Sequence, residues 1–498
     1  MNKLNFLSRL SSTTIYIAGA VIFLAVLGFA VFGGYFRSFG RESSFVNCPD
    51  CNLIMISLSN VGAEHMSLYG YERATTPRLD RWAEDAVVFK DTFVQSSWTL
   101  PVGTSLFTGL YPYSHGVLER QRAAASLQAG IETLPEILRN RGYRTAAFTG
   151  GLDYSAKNPH MKGFEIIDEA LTDGPADLIA GQKELGATLQ KAFAWTAEMS
   201  GEKFFLFVHG YNAHCPFVPS ANVRGIFSEE LAQKVSIDGA YCYRGYETTN
   251  DGTTIVNFRR LNQEVRNVKE FFDIPWEKVT LSVDDIQFIT ALYDEAILSV
   301  DELVGDFLNS LEPAVADKTI VVVFSDHGEM FARNGRFGRA GTIRGTFYDD
   351  VLHVPLIIKA PGLSPRRIDG LVQIIDVMPT LLDLLGIADS SARQGKNLEP
   401  LIFEGKEVND VVFAGSDFNF GNHTAPYTIK SSSESVRGNE WKLIRETVLE
   451  PDAPPVRLEL YNIKDDSGET KNLIDVYPDI ARKLGATLDT WSTYVKTY

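Results

Sequence analysis

The sequence predicts an α/β fold built on a mostly parallel sheet, and three observations carry that prediction. Apolar runs too short for helices recur along the chain, segments with apolar residues at three-to-four spacing lie between them, and the two kinds alternate. Leu53–Leu58, Thr145–Thr149, Phe204–Val208, Ile320–Phe324 and Pro355–Ile358 are rich in β-branched or aromatic residues and read as buried strands. Pro77–Ala86, Glu132–Arg141 and the long Asp284–Leu311 segment read as helices. Ligands of such sheets bind beyond the carboxyl ends of the strands, so the residues just after Leu58, Val208 and Phe324 are predicted to converge.

Composition bounds what else the chain does. With 498 residues, 45% of them apolar, it is globular and buries a large core without difficulty. Its 47 Lys plus Arg against 63 Asp plus Glu give a net charge of −16, which offers no field for a phosphate backbone and argues against nucleic acid as a partner. The uncharged stretch from Ile15 to Phe36 is long enough to cross a hydrocarbon core of about 30 Å. It exceeds the h-region of a cleaved signal, so residues 1–41 are expected to be a single-pass membrane anchor with the main domain extracytoplasmic. Four cysteines in an exported chain permit two disulfides, Cys48–Cys51 and Cys215–Cys242.

The main domain is expected over residues 46–400. Within it, residues 220–283 lose the α/β rhythm and read as an insertion or long loop over one face. After Pro400 the runs W-K-L-I-R and L-E-L-Y-N-I look like strands, and an amphipathic helix follows from about Pro478 to Tyr494, so residues 401–498 read as a small α+β subdomain.

Longer motifs carry a family resemblance. N-L-I-M-I-S-L-S-N-V-G-A-E-H-M-S-L-Y-G-Y, S-S-W-T-L-P-V-G-T-S-L-F-T-G-L-Y-P, F-L-F-V-H-G-Y-N-A-H-C-P-F, V-V-V-F-S-D-H-G-E and L-Y-N-I-K-D-D-S-G-E-T-K-N-L follow one another as in the sulfatases of the alkaline phosphatase superfamily, which this chain resembles from Asn52 to its end. The resemblance implies an α/β/α sandwich with a central mixed sheet and a C-terminal subdomain holding a small antiparallel sheet. It also implies hydrolysis or transfer of a small anionic ester, a sulfate or a phosphate, with help from a divalent metal.

At the site itself the sequence departs from the family pattern. T-L-P-V-G occupies the nucleophile motif, placing Thr99 at the nucleophile and Gly103 where an Arg is expected. A helix start favours a bound oxyanion and a deprotonated nucleophile. Oxidation of a Thr alcohol gives a ketone, so the formylglycine aldehyde of sulfatases cannot form at Thr99, which points to phosphate over sulfate. Thr99 also suits plain helix capping. Ser59 and Asn60 replace an acidic metal-binding pair, whereas Asp326 and His327 match the second pair. For hard cations affinity follows ligand charge, so any Zn, Mn or Ca is expected to be weakly held or absent. Arg339 stands where many members have His and retains the capacity to pair with an anion in substrate binding. His214 matches a leaving-group acid, and His209, at the end of the same strand, is either a substrate-binding or a core histidine. Glu64 reads as solvated surface, and Asp294, Glu295 and Asp301 as lying on solvated and packing faces of the long helix. Two functions follow: an ester hydrolase or transferase using Thr99 and a metal, or a degenerate member that binds anions or acts as a scaffold at the membrane.

Overall fold

The computed structural model describes residues 47–118, 127–169, 184–199, 201–235, 237, 241–248, 254–260, 277–333, 337–338, 346–418, 431–448 and 456–498. The Ile15–Phe36 stretch lies outside the described residues, among which no helix is long and apolar enough to cross a membrane.

Fifteen strands are described, in chain order β1 (Asn52–Ser57), β2 (Val87–Phe93), β3 (Arg144–Thr149), β4 (Ile166–Glu169), β5 (Phe204–His209), β6 (Tyr241–Thr248), β7 (Thr254–Arg260), β8 (Glu277–Leu281), β9 (Thr319–Phe324), β10 (His353–Lys359), β11 (Arg366–Gln373), β12 (Val412–Phe418), β13 (Ser431–Arg437), β14 (Trp441–Val448) and β15 (Arg457–Asn462). Eight form the central sheet in the order β11-β2-β10-β9-β1-β5-β3-β4. Only the two pairings made by β10 are antiparallel, so the sheet is mixed and mostly parallel. The five strands read from sequence are all present, and the run of Val, Phe and Thr in β2 was passed over because Lys90 and Asp91 interrupt its apolar pattern.

Alternation along the central strands builds two cores. Leu53 and Met55 of β1, with Phe205 and Phe207 of β5, face helices α2 (Thr99–Thr108), α3 (Leu134–Asn140) and α6 (Val377–Leu384). Ile54 and Ile56 face α1 (Pro77–Trp82), α4 (Glu184–Glu198) and α5 (Val283–Ser310) on the other side. The result is an α/β/α sandwich. A capping box closes the start of α5, where Ser282 and Asp285 exchange hydrogen bonds.

Two readings of the sequence are corrected. Residues 220–283 are not simply a loop: they contain the three-stranded antiparallel sheet β6-β7-β8. Its strands mix charged and aromatic residues without clean alternation, which hid them. Nor are the three acids of α5 solvated. Asp294 is fully buried and takes hydrogen bonds from Tyr71 and Arg73 while contacting His65. Glu295 accepts from the N–H groups of Phe227 and Ser228, and Asp301 from those of Arg78 and Leu79 at the start of α1. Glu295 and Asp301 terminate backbone donors of neighbouring segments and Asp294 gathers side-chain donors, so long-range contacts, invisible in the helical spacing, account for all three. The disulfide Cys48–Cys51 is formed, with 5.3 Å between Cα atoms. The side chain of Cys242 lies outside the described residues, and with it the pairing expected for Cys215.

The C-terminal strands form one antiparallel sheet, β12-β13-β14-β15, covered on one face by α7 (Pro478–Thr497) through Leu488, Trp491 and Val495. Its other face joins the main core through Val412, Ala414, Ile444 and Tyr461, beside a cluster of buried charge. Lys442 Nζ lies 2.6 Å from Asp349 Oδ1 and 2.8 Å from Glu469 Oε1, and Arg437 Nε holds the second Asp349 oxygen at 3.0 Å. The Lys442 ammonium and Arg437 guanidinium keep the Asp349 carboxyl well below the usual range despite its burial.

Helix α2 is itself anchored by two buried imidazoles. Thr104 Oγ1 contacts His160 Nδ1 at 3.1 Å, and Ser105 Oγ contacts His115 Nε2 at 3.1 Å. His115 Nδ1 accepts the Val117 N–H, so this nitrogen carries no proton in the fold. Burial pushes the His115 pKa down to about 3 and that of His160 down to about 4.

Two outcomes follow. Lys442→Met leaves Asp349 and Glu469 short of their buried cation and is expected to cost about 3–5 kcal/mol in urea unfolding, the usual loss on breaking a buried pair. Because both imidazoles titrate lower in the fold than in the unfolded chain, the unfolded chain takes up protons first. Thermal stability should therefore hold above about pH 6.5, the ordinary histidine value, and fall as the pH drops toward the folded values. Melting curves of the wild type and of His115→Gln against pH check this, the variant being expected to show a shallower acid decline.

Candidate active site

Parallel register brings three strand ends level. Ser57 of β1 pairs with His209 of β5 on one side and with Phe324 of β9 on the other. The residues that follow, Ser59-Asn60, the 210–214 turn and Ser325-Asp326-His327, therefore meet beyond one edge of the sheet, as the sequence predicts.

The turn after β1 is held in an uncommon shape. Ser59 and Asn60 adopt φ of 45° and 60°, two successive left-handed residues without glycine. This conformation directs the Asn60 N–H at Asp326 Oδ1, 2.9 Å away. Tyr293 of α5 fixes the turn by donating its hydroxyl to Asn60 O at 2.6 Å and accepting the Gly62 N–H at 3.0 Å. Ser325 accepts the Val61 N–H and donates to His327 O. Gly328 allows the two turns to touch, since a Cβ there would lie 3.0 Å from Gly62 Cα and would also run into Asp350 O.

Thr99 arrives from the opposite side as the first residue of α2. The N-cap position belongs to Trp98, which makes no side-chain cap bond, and the Thr99 hydroxyl instead contacts His327 Nε2 at 3.3 Å. His327 Nδ1 lies 3.0 Å from Gly328 O. A carbonyl only accepts, so Nδ1 carries a proton, and in the neutral ring Nε2 then presents its lone pair to Thr99. Asp326 Oδ2, 3.7 Å from His327 Nε2, has no hydrogen-bond partner.

His209 is fully buried at the end of β5, and among the described residues neither ring nitrogen has a hydrogen-bond partner. Burial lowers its pKa to about 4 against the opposing pull of Asp326, and His327 and His214 both lie within electrostatic reach. His214 is half-buried and its Nδ1 lies 2.8 Å from Cys215 O, so by the same reasoning Nδ1 carries a proton. Ser59 is buried with no partner for its hydroxyl. Glu64 is only part-exposed and meets Arg333, 3.3 Å away. Arg339 lies outside the described residues.

Tyr293 and Ser325 were not singled out from the sequence, although Ser325 sits inside S-D-H-G-E, directly after the strand end.

The Sulfatase family model matches residues 51–387, and the model described as N-sulphoglucosamine sulphohydrolase, C-terminal, matches residues 344–493. The chain belongs to the sulfatase family. A delta 4,5-hexuronate-2-O-sulfatase of Bacteroides thetaiotaomicron is 24% identical over 89% of both chains. Arylsulfatase K of Rattus norvegicus is 22% identical over 89% of this chain and 78% of its own. The crystal structure of the phosphonate monoester hydrolase of Agrobacterium radiobacter shares the fold, with a TM-score of 0.66 at 19% identity, over 89% of this chain and 96% of that one.

A family metal would sit between Ser59-Asn60 and Asp326-His327, but the donor set does not fit a hard cation. One Asp326 oxygen already takes the Asn60 N–H, and Ser59 offers only a neutral hydroxyl. The Asn60 amide nitrogen is turned to Ala213 O at 2.9 Å and Glu329 Oε2 at 3.3 Å. Among the described residues no three His, Cys, Asp or Glu side chains are placed to hold one metal ion together. Hard cations select sites by carboxylate count and oxygen number. Ser59→Asp is therefore expected to create calcium- or manganese-dependent thermal stabilisation that the wild type lacks at the same millimolar metal; equal shifts in both proteins, or none in the variant, refute this reading.

Proposed function

We propose that the protein hydrolyses a phosphate ester through Thr99, and that the Ile15–Phe36 segment tethers it to a membrane with this domain on the extracytoplasmic side. The observation that carries the reaction is the Thr99 hydroxyl 3.3 Å from Nε2 of His327 at the first turn of α2, a nitrogen that accepts a proton when the ring is neutral. A base within reach of a hydroxyl activates it as a nucleophile, and the unpaired N–H groups of a helix start favour the charge of a transferring group. Family membership and the named activities of the relatives, a sulfatase and a phosphonate monoester hydrolase, support an anionic ester as substrate.

Thr99 Oγ bonds to phosphorus as the bond to the leaving alkoxide breaks, its proton passing to His327. The alkoxide takes a proton from His214 imidazolium and leaves as the alcohol. Water then attacks the threonyl phosphate, giving one proton back to His214, while Thr99 recovers its own from His327 and phosphate departs. A threonine ester serves this sequence, whereas the aldehyde route to sulfate release is closed to Thr99.

The missing carboxylate at Ser59 favours a second reading, an anion-binding member without turnover. Assays with 4-nitrophenyl phosphate, bis(4-nitrophenyl) phosphate and 4-nitrophenyl sulfate separate the two. Turnover of a phosphate substrate is expected to fall about a thousandfold or more in Thr99→Val, the scale of losing a nucleophile, and acid quenching should trap phosphate on the peptide containing Thr99. Undiminished turnover in Thr99→Val removes the nucleophile, and a wild type inert to all three esters leaves the second reading.

A further inference from the structure

Beside Thr99 the floor of the site is lined by buried polar atoms that the described residues leave short of hydrogen-bond partners. Along one face of the sheet the stripe Leu53, Met55 ends in Ser57, and the stripe Phe205, Phe207 ends in His209. Against these two ends stands Tyr154, fully buried, its ring 4.5 Å from that of His209 and 4.9 Å from that of Phe207. Its hydroxyl neighbours Ser57 and feels the charge of Asp326. Among the described residues the Tyr154 and Ser57 hydroxyls have at most each other, and neither His209 nitrogen has a partner in hydrogen-bonding geometry. Buried hydroxyls are nearly always paired, and a group of orphans around one spot calls for an occupant.

Gly103 shows that this placement is built into the helix. Four residues beyond Thr99, it lies on the same face of α2. A Cβ there would stand 2.8 Å from Tyr154 Cε1 and 2.9 Å from both Cζ and Oη. Only a residue without a side chain lets the phenol lie over the helix face one turn from the proposed nucleophile. The backbone of Tyr154 is fixed as well: Thr149 donates its hydroxyl to Tyr154 O at 3.0 Å, and the Tyr211 hydroxyl accepts the Asp153 N–H.

We propose that the Tyr154 hydroxyl is an oxyanion-binding donor, made possible by Gly103, that hydrogen-bonds a non-bridging oxygen of the tetrahedral anion held at Thr99. The inference rests on the proposed reaction for its substrate, but the anion site it describes is measurable without turnover. It assigns to a neutral phenol the contact with the transferring group, with Ser57 and His209 beside it as further neutral partners.

The experiment compares full-length wild type with Tyr154→Phe, which keeps the ring and removes only the hydroxyl. Melting temperature is followed against inorganic phosphate and inorganic sulfate, and KM against the phosphate ester the wild type turns over. The variant is expected to melt at or above the wild-type temperature without anion, since deleting an unsatisfied buried hydroxyl costs the fold nothing. Its half-saturating phosphate concentration and its KM should rise roughly ten- to a hundredfold, the scale of one hydrogen bond to a charged group. Gly103→Ala, which displaces the phenol while keeping its hydroxyl, should weaken anion binding in the same direction. A lower melting temperature in Tyr154→Phe with unchanged anion response makes the hydroxyl a structural group and overturns the inference. So does turnover through Thr99 that Tyr154→Phe leaves untouched. Anion stabilisation that depends on Tyr154 without any ester turnover upholds the binding site and removes only the proposed reaction. A wild type that neither responds to phosphate or sulfate nor turns over an ester overturns both.

Discussion

The parallel seating of β1 between β5 and β9 is the constraint on which the rest of the site depends. Because Ser57, His209 and Phe324 end level, three turns leave the sheet at one height and their side chains meet there. A parallel strand that slipped by one residue would exchange the faces of every side chain along it, sending Ser57 to the face now held by Ile54 and Ile56. The two left-handed residues that follow β1 turn this register into a site, since they aim a backbone N–H rather than a side chain at Asp326. Strain of that sort persists only where the surroundings over-determine it. Tyr293 and Ser325 do so by gripping the turn on both sides.

What gathers around this junction is mostly uncharged. Ser59 and Asn60 are neutral, Tyr154 lies where a longer residue at position 103 would run, and burial keeps His209 unprotonated at ordinary pH. Neutral donors in a dry site still interact strongly, because the low dielectric that makes an unpaired group costly also strengthens a hydrogen bond once formed. Thr99 contacts His327 in this setting, the pair proposed to react, at the start of α2 where helix N–H groups are oriented. Charge is concentrated elsewhere. Asp294 and Asp301 secure the segments that pack on α5, and the cluster of Lys442, Arg437, Asp349 and Glu469 joins the C-terminal sheet to the central one.

Much of the architecture was legible from the chain. Five central strands, the long helix and the C-terminal helix announce themselves through apolar period, because burial against a sheet imposes that period on the residues themselves. β2 and the β6-β7-β8 sheet escaped this reading, one because Lys90 and Asp91 break its run and the other because its strands carry no clean alternation. Of the site, the convergence after Leu58, Val208 and Phe324 was readable, and Thr99, Asp326 and His327 came from motif order. Which nitrogen of His327 faces Thr99 was not, since that depends on a carbonyl only the folded turn supplies.

By itself the sequence determined the fold class, the strand ends where chemistry gathers, and the absence of two family groups, the carboxylate at Ser59 and the arginine at Gly103. Composition and period are properties of consecutive residues, so a chain can display them unfolded. Only the tertiary structure decided that Thr99 begins α2 with its hydroxyl on His327 and not as a cap, that the acids of α5 are buried staples, and that Tyr154 fills the space beside Gly103. Each of these is a meeting of residues tens to hundreds of positions apart. A hydrogen bond or a steric fit between them is set by three-dimensional distance, and no local pattern along the chain encodes it.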